Sequence, residues 1–582
     1  MPKRWRIRPY DPEQVAWLQR AAGVPPLIAQ LLLVRGIHQA DSARRFLEPK
    51  LSGLRGPEEL PGCMEAADRL HHAIVHQRRM AIYGDYDVDG VSGTAILWGC
   101  LRLLGAEVSY YIPSRLEEGY GLNEEAVRTL ADRGVEVVVT VDCGIASLAE
   151  AELAAHLGME LLITDHHEPG PHLPQASVIV HPAVGDRPYP FPGLSGSGVA
   201  FKLAWALSQQ ASGAKRVSPP MREFLLRAVA WAALGAMADV VPLVDENRIL
   251  VSYGLVGLKQ KPGLGLAAML QLTGLADKPA LDGEDLAFQI VPRLNAAGRL
   301  GQASLAVELL TTDQPDRAQS LARYLDQLNG DRKSLEQSIY LTALKQIKQH
   351  YPPIDHPAWV LAENHWHPGV IGIVASRLAE KFHRPVILIA CDPTGQRPAT
   401  GSGRSIPGFH LHQALTACQH HLVGFGGHAA AAGLRILQDR IPAFREDFCQ
   451  YAAQNLEPEQ RQAELFIDAE APLSALTLQT VDQIERMAPF GYGNPRPLIC
   501  STSVYLNDPP RPIGQEGRHL SMSLVQHGVR MRAVAFGGAE WLDELLELNG
   551  CPLDIVSRPI INTFNGLRRV ELHLVDWRPA SS

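Results

Sequence analysis

The chain has 582 residues, 54 Lys and Arg against 62 Asp and Glu, and a formal net charge of −8. This ordinary composition is long enough for three or four domains, and its charge argues against a nonspecific basic coat for nucleic acid. The eight cysteines are scattered without a C-x-x-C pair, which argues against a disulfide framework or a zinc ribbon and fits reduced thiols in a cytoplasmic protein.

Met1-Pro2-Lys3-Arg4-Trp5-Arg6 leads into polar sequence without the apolar core of a signal peptide. No apolar run reaches the roughly eighteen residues of a membrane span. Residues 1 to about 55 read as helical and irregular. From about 75 to 215 strand-like runs at 80–83, 107–112, 135–141, 160–164 and 177–180 alternate with helical patterns, among them Ser92 to Leu104 and Asn123 to Arg133. Such alternation predicts a mostly parallel sheet with crossover helices. A helix-rich part follows, with Arg222 to Met237 and Leu286 to Leu310. Residues 315 to about 350 read as one or two long helices, because Pro315 suits a first turn and Ala318, Leu321, Ala322, Leu325 and Leu328 form one apolar stripe. A second α/β unit starts near 358 and runs to a glycine-rich segment at 424–433. Beyond about 460, short strands at 520–525, 529–535, 553–556 and 570–575 predict a small all-β barrel of OB type.

Three acidic motifs follow three predicted strands: Asp85-Tyr86-Asp87-Val88-Asp89-Gly90, Asp142-Cys143-Gly144 and Asp165-His166-His167. In an open α/β sheet ligands bind outside the carboxyl ends of the strands, so these motifs would meet at one edge. Carboxylates and imidazoles crowded there need a cation. An EF-hand loop is excluded, because position 96 is Ile96 where that loop requires glutamate. Asp142 alone would read as a helix N-cap. Asp239, between the apolar runs of Ala238 and Val240-Val241, should be paired, capped or liganded. Mixed carboxylate and imidazole ligands suit manganese, with magnesium also acceptable. Two such cations clamp the attacking and leaving oxygens of an in-line phosphoryl displacement.

In order, these motifs and Ala238-Asp239 resemble the four motifs of the DHH phosphoesterase superfamily. Gly426-Gly427-His428-Ala429-Ala430-Ala431-Ala432-Gly433 resembles the glycine-rich motif of the associated DHHA1 domain. Four further segments resemble the RecJ family of single-stranded-DNA exonucleases: Val291 to Leu300, His367 to Gly372, Gly401 to Ser405 and Pro489 to Pro495. The resemblance spans nearly the whole chain from about residue 55. It implies two α/β lobes, DHH and DHHA1, joined by a long helix and followed by the OB-like barrel. The expected divisions are an N-terminal helical extension (1–55), a DHH catalytic domain (56–314), a connecting helix (315–354), a DHHA1 domain (355–455) and an OB-like domain (456–582).

The resemblance also implies site roles. Asp142 would bridge two metals. Asp87 would hold the first, with Asp85 as third ligand, and Asp89, His166 and Asp239 would hold the second. His167 would contact phosphate or donate in the transition state, and Asp165 would orient a histidine. The implied activity is 5′ to 3′ hydrolysis of single-stranded DNA to 5′ mononucleotides, in repair and recombination. A single-strand-binding protein and a helicase are the implied partners, and the chain is expected to be a cytoplasmic monomer. The alternatives are a small-substrate DHH enzyme acting on nano-RNA, pAp or a cyclic dinucleotide, and a noncatalytic DNA-binding scaffold.

For strand binding, Gly426 and Gly427 would let backbone N–H groups approach a phosphate, with His428 as an added donor. Arg404 with Ser405, Arg293 and Arg299 flanking Asn295, Arg115 and His367 are further phosphate candidates, although a structural ion pair reads equally well for each arginine alone. Arg558, Arg568, Arg569 and Phe564 are the corresponding candidates in the barrel. Gly193 to Gly198 lacks the lysine of a nucleotide-binding loop and reads as close helix packing, so no nucleotide cofactor is expected.

Overall fold

The computed structural model describes residues 3–185, 187–352, 356–548, 550–564 and 566–580, without the side chains of Pro458 and Phe564. The chain divides into two compact units. One comprises mainly Gly56–Asp239 and Tyr253–Ala463; the other comprises Arg4–Arg55, Val240–Ser252 and Glu464–Ser582. The second unit begins with strand β1 (Arg4–Ile7).

In the first unit, β2 (Met80–Gly84), β3 (Val108–Tyr111), β4 (Val137–Val141), β5 (Glu160–Thr164) and β6 (Val178–Val180) form a parallel sheet in the order β3-β2-β4-β5-β6. Every residue of β2 and β4 is buried. That burial explains their continuous apolar runs, since helices cover both faces of such a sheet. The order reverses between β2 and β4, which opens a crevice at their carboxyl ends. The expected pattern over Leu286 to Leu310 is broken into a π-helical turn (Leu286–Ile290) and two helices, Val291–Arg299 and Ser304–Thr311. Gly301 at φ 79° separates the two helices. One continuous helix spans Pro315–His350, burying Ala318, Leu321, Ala322, Leu325 and Leu328 on one stripe.

The second sheet of this unit is built from β7 (Trp359–Glu363), β8 (Val386–Ala390), β9 (Ala399–Arg404), β10 (Leu422–Gly427) and β11 (Ala431–Ile436), ordered β10-β11-β9-β8-β7. Only β7 and β8 pair in parallel. Its apolar face packs on the helix Ile441–Asn455 through Phe444 and Phe448.

In the other unit, β12 (Glu464–Ile467) pairs with β1. Strands β13 (Ala469–Glu470), β14 (Ile499–Ile513), β15 (His519–Gln526), β16 (Val529–Ala535), β17 (Leu553–Phe564) and β18 (Leu567–Pro579) form one sheet, closed into a barrel where β14 meets β17. Strand β14 was not anticipated. Asp508, Pro509, Pro510 and Pro512 break its pattern, and the ladder accommodates them with register shifts near Asp508. Among the described residues no helix is long and apolar enough to cross a membrane.

Candidate metal centre

Asp85 and Asp87 leave the end of β2, and Asp87 caps the helix Val88–Leu103. Its Oδ1 accepts the N–H groups of Asp89 (2.8 Å) and Gly90 (3.2 Å). Asp89 lies in the first turn, fully buried. Its Oδ2 and Oδ1 accept the N–H groups of Gly196 (2.7 Å) and Ser197 (3.0 Å), which open the helix Gly196–Ser212. Two helix N-termini therefore converge on this acidic loop. Their unsatisfied N–H groups and partial positive charge stabilise the anions.

Asp142 directly follows β4 and is 1% exposed. Its backbone is left-handed (φ 65°), a conformation that costs about 1 kcal/mol or more outside glycine. Asp239 caps the carboxyl end of the helix Pro219–Ala238. A carboxylate there opposes the helix dipole, so a partner of opposite charge is required. His166 Nε2 lies 3.1 Å from Asp142 Oδ1, 3.4 Å from Asp239 Oδ2 and 3.9 Å from Asp89 Oδ2. Three groups place one ligand atom per residue within 4.8 Å of one another: Asp85, Asp87 and Asp142; Asp89, His166 and Asp239; and Asp142, His166 and His167.

Buried Asp85 Oδ1, Asp142 Oδ1 and His166 Nε2 have no hydrogen-bond partner among the described residues. Orphaned acceptors of this kind cost about 1–3 kcal/mol each unless a ligand satisfies them. Burial and then the neighbouring carboxylates push Asp85, Asp87 and Asp142 above the usual carboxylate range, and Asp239 up to about 8. Burial lowers His166, keeping its imidazole neutral with a lone pair to give. Unpaired lone pairs, mutual repulsion and a mixed oxygen and nitrogen donor set all fit divalent cations.

Asp165 and His167 behave differently. Burial alone would raise Asp165, but His167 and the Ile145 N–H hydrogen bond to it and bring it to about 2. Burial would lower His167, yet its Nδ1 bond to Asp165 Oδ1 (2.7 Å) and that carboxylate's charge raise it to about 9. Nδ1 is thereby committed, and Nε2 remains as a proton-bearing donor. Tyr120, absent from the sequence expectations, places its hydroxyl 3.0 Å from the same Nδ1 and donates to Asp142 O at 3.3 Å.

The expected phosphate contacts fall into two sets. Arg115, Arg299 and Arg404 lie close enough for their charges to act on one another. Burial first, then Arg115, Arg332 and Arg404, lower Arg299 to about 10. Arg115 stacks over Tyr86 at 5.1 Å, inside the first acidic motif. His428, mostly exposed at the end of β10, reaches within 3.9 Å of Glu168, which follows His167. Exposed Gly426 and Gly427 precede it. Arg404 of this set also donates to Gly403 O at 2.7 Å, and the members of the other set are likewise engaged within the protein. Arg293 pairs with Asp326 at 2.9 Å, and Asn295 Oδ1 accepts the Val88 N–H, fastening its helix to the acidic loop. The Ser405 hydroxyl donates to Phe409 O, and His367 Nδ1 accepts the Gly369 N–H. In the barrel unit Arg568 pairs with Asp482, and the Phe564 side chain lies outside the described residues. A groove of about 1160 Å³ there is lined by Arg511, Arg530, Arg532, Arg568 and Arg569.

The glycine run at 193–198 contributes more than packing. A Cβ on Gly196 would stand 2.3 Å from Asp142 Oδ1, and one on Gly235 would stand 2.1 Å from Asp89 Oδ1. Both helices approach the carboxylates only because these positions lack side chains.

Comparison with known proteins agrees with this architecture. Residues 79–232 match the DHH family N-terminal domain, 355–454 the DHHA1 domain and 467–576 the RecJ OB domain. The chain is 38% identical over 573 residues to the single-stranded-DNA-specific exonuclease RecJ of Bacillus subtilis, covering 98% of this chain and 70% of that protein. A crystal structure of Thermus thermophilus RecJ with Mn2+ superposes with a TM-score of 0.83 at 32% identity, covering 100% of this chain and 80% of that one. Its counterpart with Mg2+ gives 0.76 at 30% identity, covering 100% and 79%. Three domain matches, 38% identity across nearly the whole of this chain and a common fold place it in the RecJ family of the DHH phosphoesterases.

Proposed function

We propose that this protein is a metal-dependent exonuclease that degrades single-stranded DNA from its 5′ end and releases 5′ mononucleotides. The observation that carries the reading is the convergence of Asp85, Asp87, Asp89, Asp142, His166 and Asp239 beside orphaned ligand atoms at the switch point of the parallel sheet. Asp85, Asp87 and Asp142 would hold one cation, and Asp89, His166 and Asp239 the other, with Asp142 shared. When bound, such cations neutralise the phosphoryl group and lower the pKa of water.

The chain's own residues supply the rest. His167, held protonated by Asp165, donates Nε2–H to a phosphoryl oxygen. Arg115, Arg299 and Arg404 form a cationic cluster that grips the strand's phosphates, and His428 adds a donor from the end of β10, beside Glu168. The arginine-lined groove of the barrel unit offers a surface of its own to a flexible single strand. The polarity, the repair and recombination role, the single-strand-binding protein and helicase partners, the monomeric state and the cytoplasmic location follow from the family resemblance.

The test uses purified protein with manganese and a long single strand blocked at its 5′ or 3′ end, beside the matching duplex. Degradation stopped by the 5′ block and absent on duplex supports the proposal. Degradation indifferent to both blocks, or confined to dinucleotides, overturns the substrate and polarity.

A further inference from the structure

A second group of ligating side chains lies on the other sheet, separate from the acidic residues described above. The turn Gln419–His421 connects the helix Leu411–Ala417 to the edge strand β10. It presents His420 and His421 side by side, with ring centroids 4.0 Å apart. Both rings aim Nε2 at the same atom, Asp447 Oδ2 on the helix Ile441–Asn455, at 3.3 and 2.8 Å respectively. The three ligand atoms lie within 4.8 Å of one another.

We infer that His420, His421 and Asp447 form a binding site for a zinc ion. Two imidazoles and one carboxylate match the donor preference of zinc, whereas the oxygen-rich centre on the parallel sheet matches manganese and magnesium. Zinc bonds of ~2.0–2.1 Å in tetrahedral geometry place ligand atoms roughly 3.3 Å apart. The His420 separation already has this value, and the His421 separation needs to open by about half an ångström. The His421 side chain is 8% exposed and packs edge-on to Phe444, so one ligand is fixed by the core. His420 (62% exposed) and Asp447 (44%) face solvent, which gives the ion an entry path and leaves room for a water as fourth ligand. His421 Nδ1 is buried without a partner whichever atom Nε2 engages, so it favours neither state. His421 Nε2 hydrogen bonds to Asp447 Oδ2, and His420 Nε2 stands 3.3 Å from the same oxygen. A cation among the three atoms would instead take a lone pair from each Nε2. Bound zinc would tie the start of β10, the strand that leads to His428, to the helix Ile441–Asn455.

The experiment uses the full-length protein, its His420→Ala and Asp447→Asn variants, and zinc chloride as the probe. Crystals soaked in zinc are measured at the zinc absorption edge, and affinity in solution is read by competition with a chromophoric chelator. The expected result is an anomalous peak between His420 Nε2, His421 Nε2 and Asp447. The variants should lose one zinc equivalent, or bind it about tenfold or more weakly, while keeping manganese-dependent nuclease activity. Nuclease activity and circular dichroism confirm that they are folded, since both substituted side chains are exposed. Absence of the peak, or equal zinc stoichiometry and affinity in all three proteins, overturns the inference and leaves a hydrogen-bonded cluster. Neither result depends on which strand end the nuclease degrades.

Discussion

Gly196→Ala tests the link between helix packing and catalysis. The backbone φ at Gly196 is ordinary, so the substitution introduces no conformational strain; its effect is purely spatial. The new Cβ would sit 2.3 Å from Asp142 Oδ1, 2.6 Å from its Cγ and 2.7 Å from its Cβ, where ordinary contact begins at 3.4 Å. Either Asp142 retreats by about 1 Å or the helix start withdraws and stretches the 2.7 Å hydrogen bond from the Gly196 N–H to Asp89. Both movements displace a candidate metal ligand. A 1 Å misplacement of this kind costs about 100-fold in rate. The stability cost should stay near that of overpacking, about 1–3 kcal/mol, because moving one carboxylate also relieves repulsion. Gly330→Ala is the matched control. It lies in the interior of the helix Pro315–His350 with nothing within 4 Å, so it should add about 0.5–1 kcal/mol and leave activity unchanged. The assay is manganese-dependent hydrolysis of a labelled single strand, with thermal unfolding measured in parallel. Gly196→Ala retaining activity within about threefold of the parent would refute the reasoning, since it predicts a loss near 100-fold.

Chelation should make stability fall as pH rises. Asp239 is raised to about 8 from its usual 3.8, so between these values the metal-free folded protein holds a proton the unfolded chain has released. By linkage this contributes up to ~1.4 kcal/mol of lost stability per pH unit, and manganese, which binds the ionised form, should remove the slope. Unfolding midpoints from pH 5 to 8 in chelator and in manganese check this, and identical slopes would sink it. Asp165→Asn should lower the His167 pKa from about 9 toward its usual value of 6.5. The alkaline limb of the rate profile should then shift to lower pH, and an unchanged limb would remove His167 as the proton donor. Arg404→Ala should raise KM more than it lowers kcat and reduce the salt slope of strand binding by about one. An effect on kcat alone would contradict a role in gripping phosphate.

The parallel sheet and the acidic cluster were legible because their signals are local. Apolar runs such as Val137–Val141 end abruptly in charge, and the physics of open sheets places those ends together. The arginines were less legible because sequence gives a side chain's charge without its partner. Arg293 and Arg299 sit on one helix, yet the former is held by Asp326 while the latter lies within reach of Arg115 and Arg404. The contribution of Gly196 and Gly235 was invisible for a similar reason. The carboxylates they make room for are 54 residues earlier for Gly196, which faces Asp142, and 146 residues earlier for Gly235, which faces Asp89. Strand β14 was hidden by its prolines, which β-sheets tolerate where the ladder shifts register.

The distribution of charge in the first unit has a mechanistic consequence. Asp85, Asp87, Asp89, Asp142 and Asp239 would repel a phosphodiester, while Arg115, Arg299 and Arg404 would attract it. Helix N-termini offset part of the acidic charge, but the N–H groups of Gly196 and Ser197 are already spent on Asp89. Once these carboxylates are ionised, full neutralisation therefore requires the cations. Strand binding and metal binding should be mutually reinforcing, because each lowers the electrostatic cost of the other. On the proposed reading the arginines would hold a strand beside the site, and the phosphate would approach Asp142 only after the carboxylates are neutralised. On that reading, affinity for the scissile phosphate would be set by metal occupancy rather than by the net charge of −8.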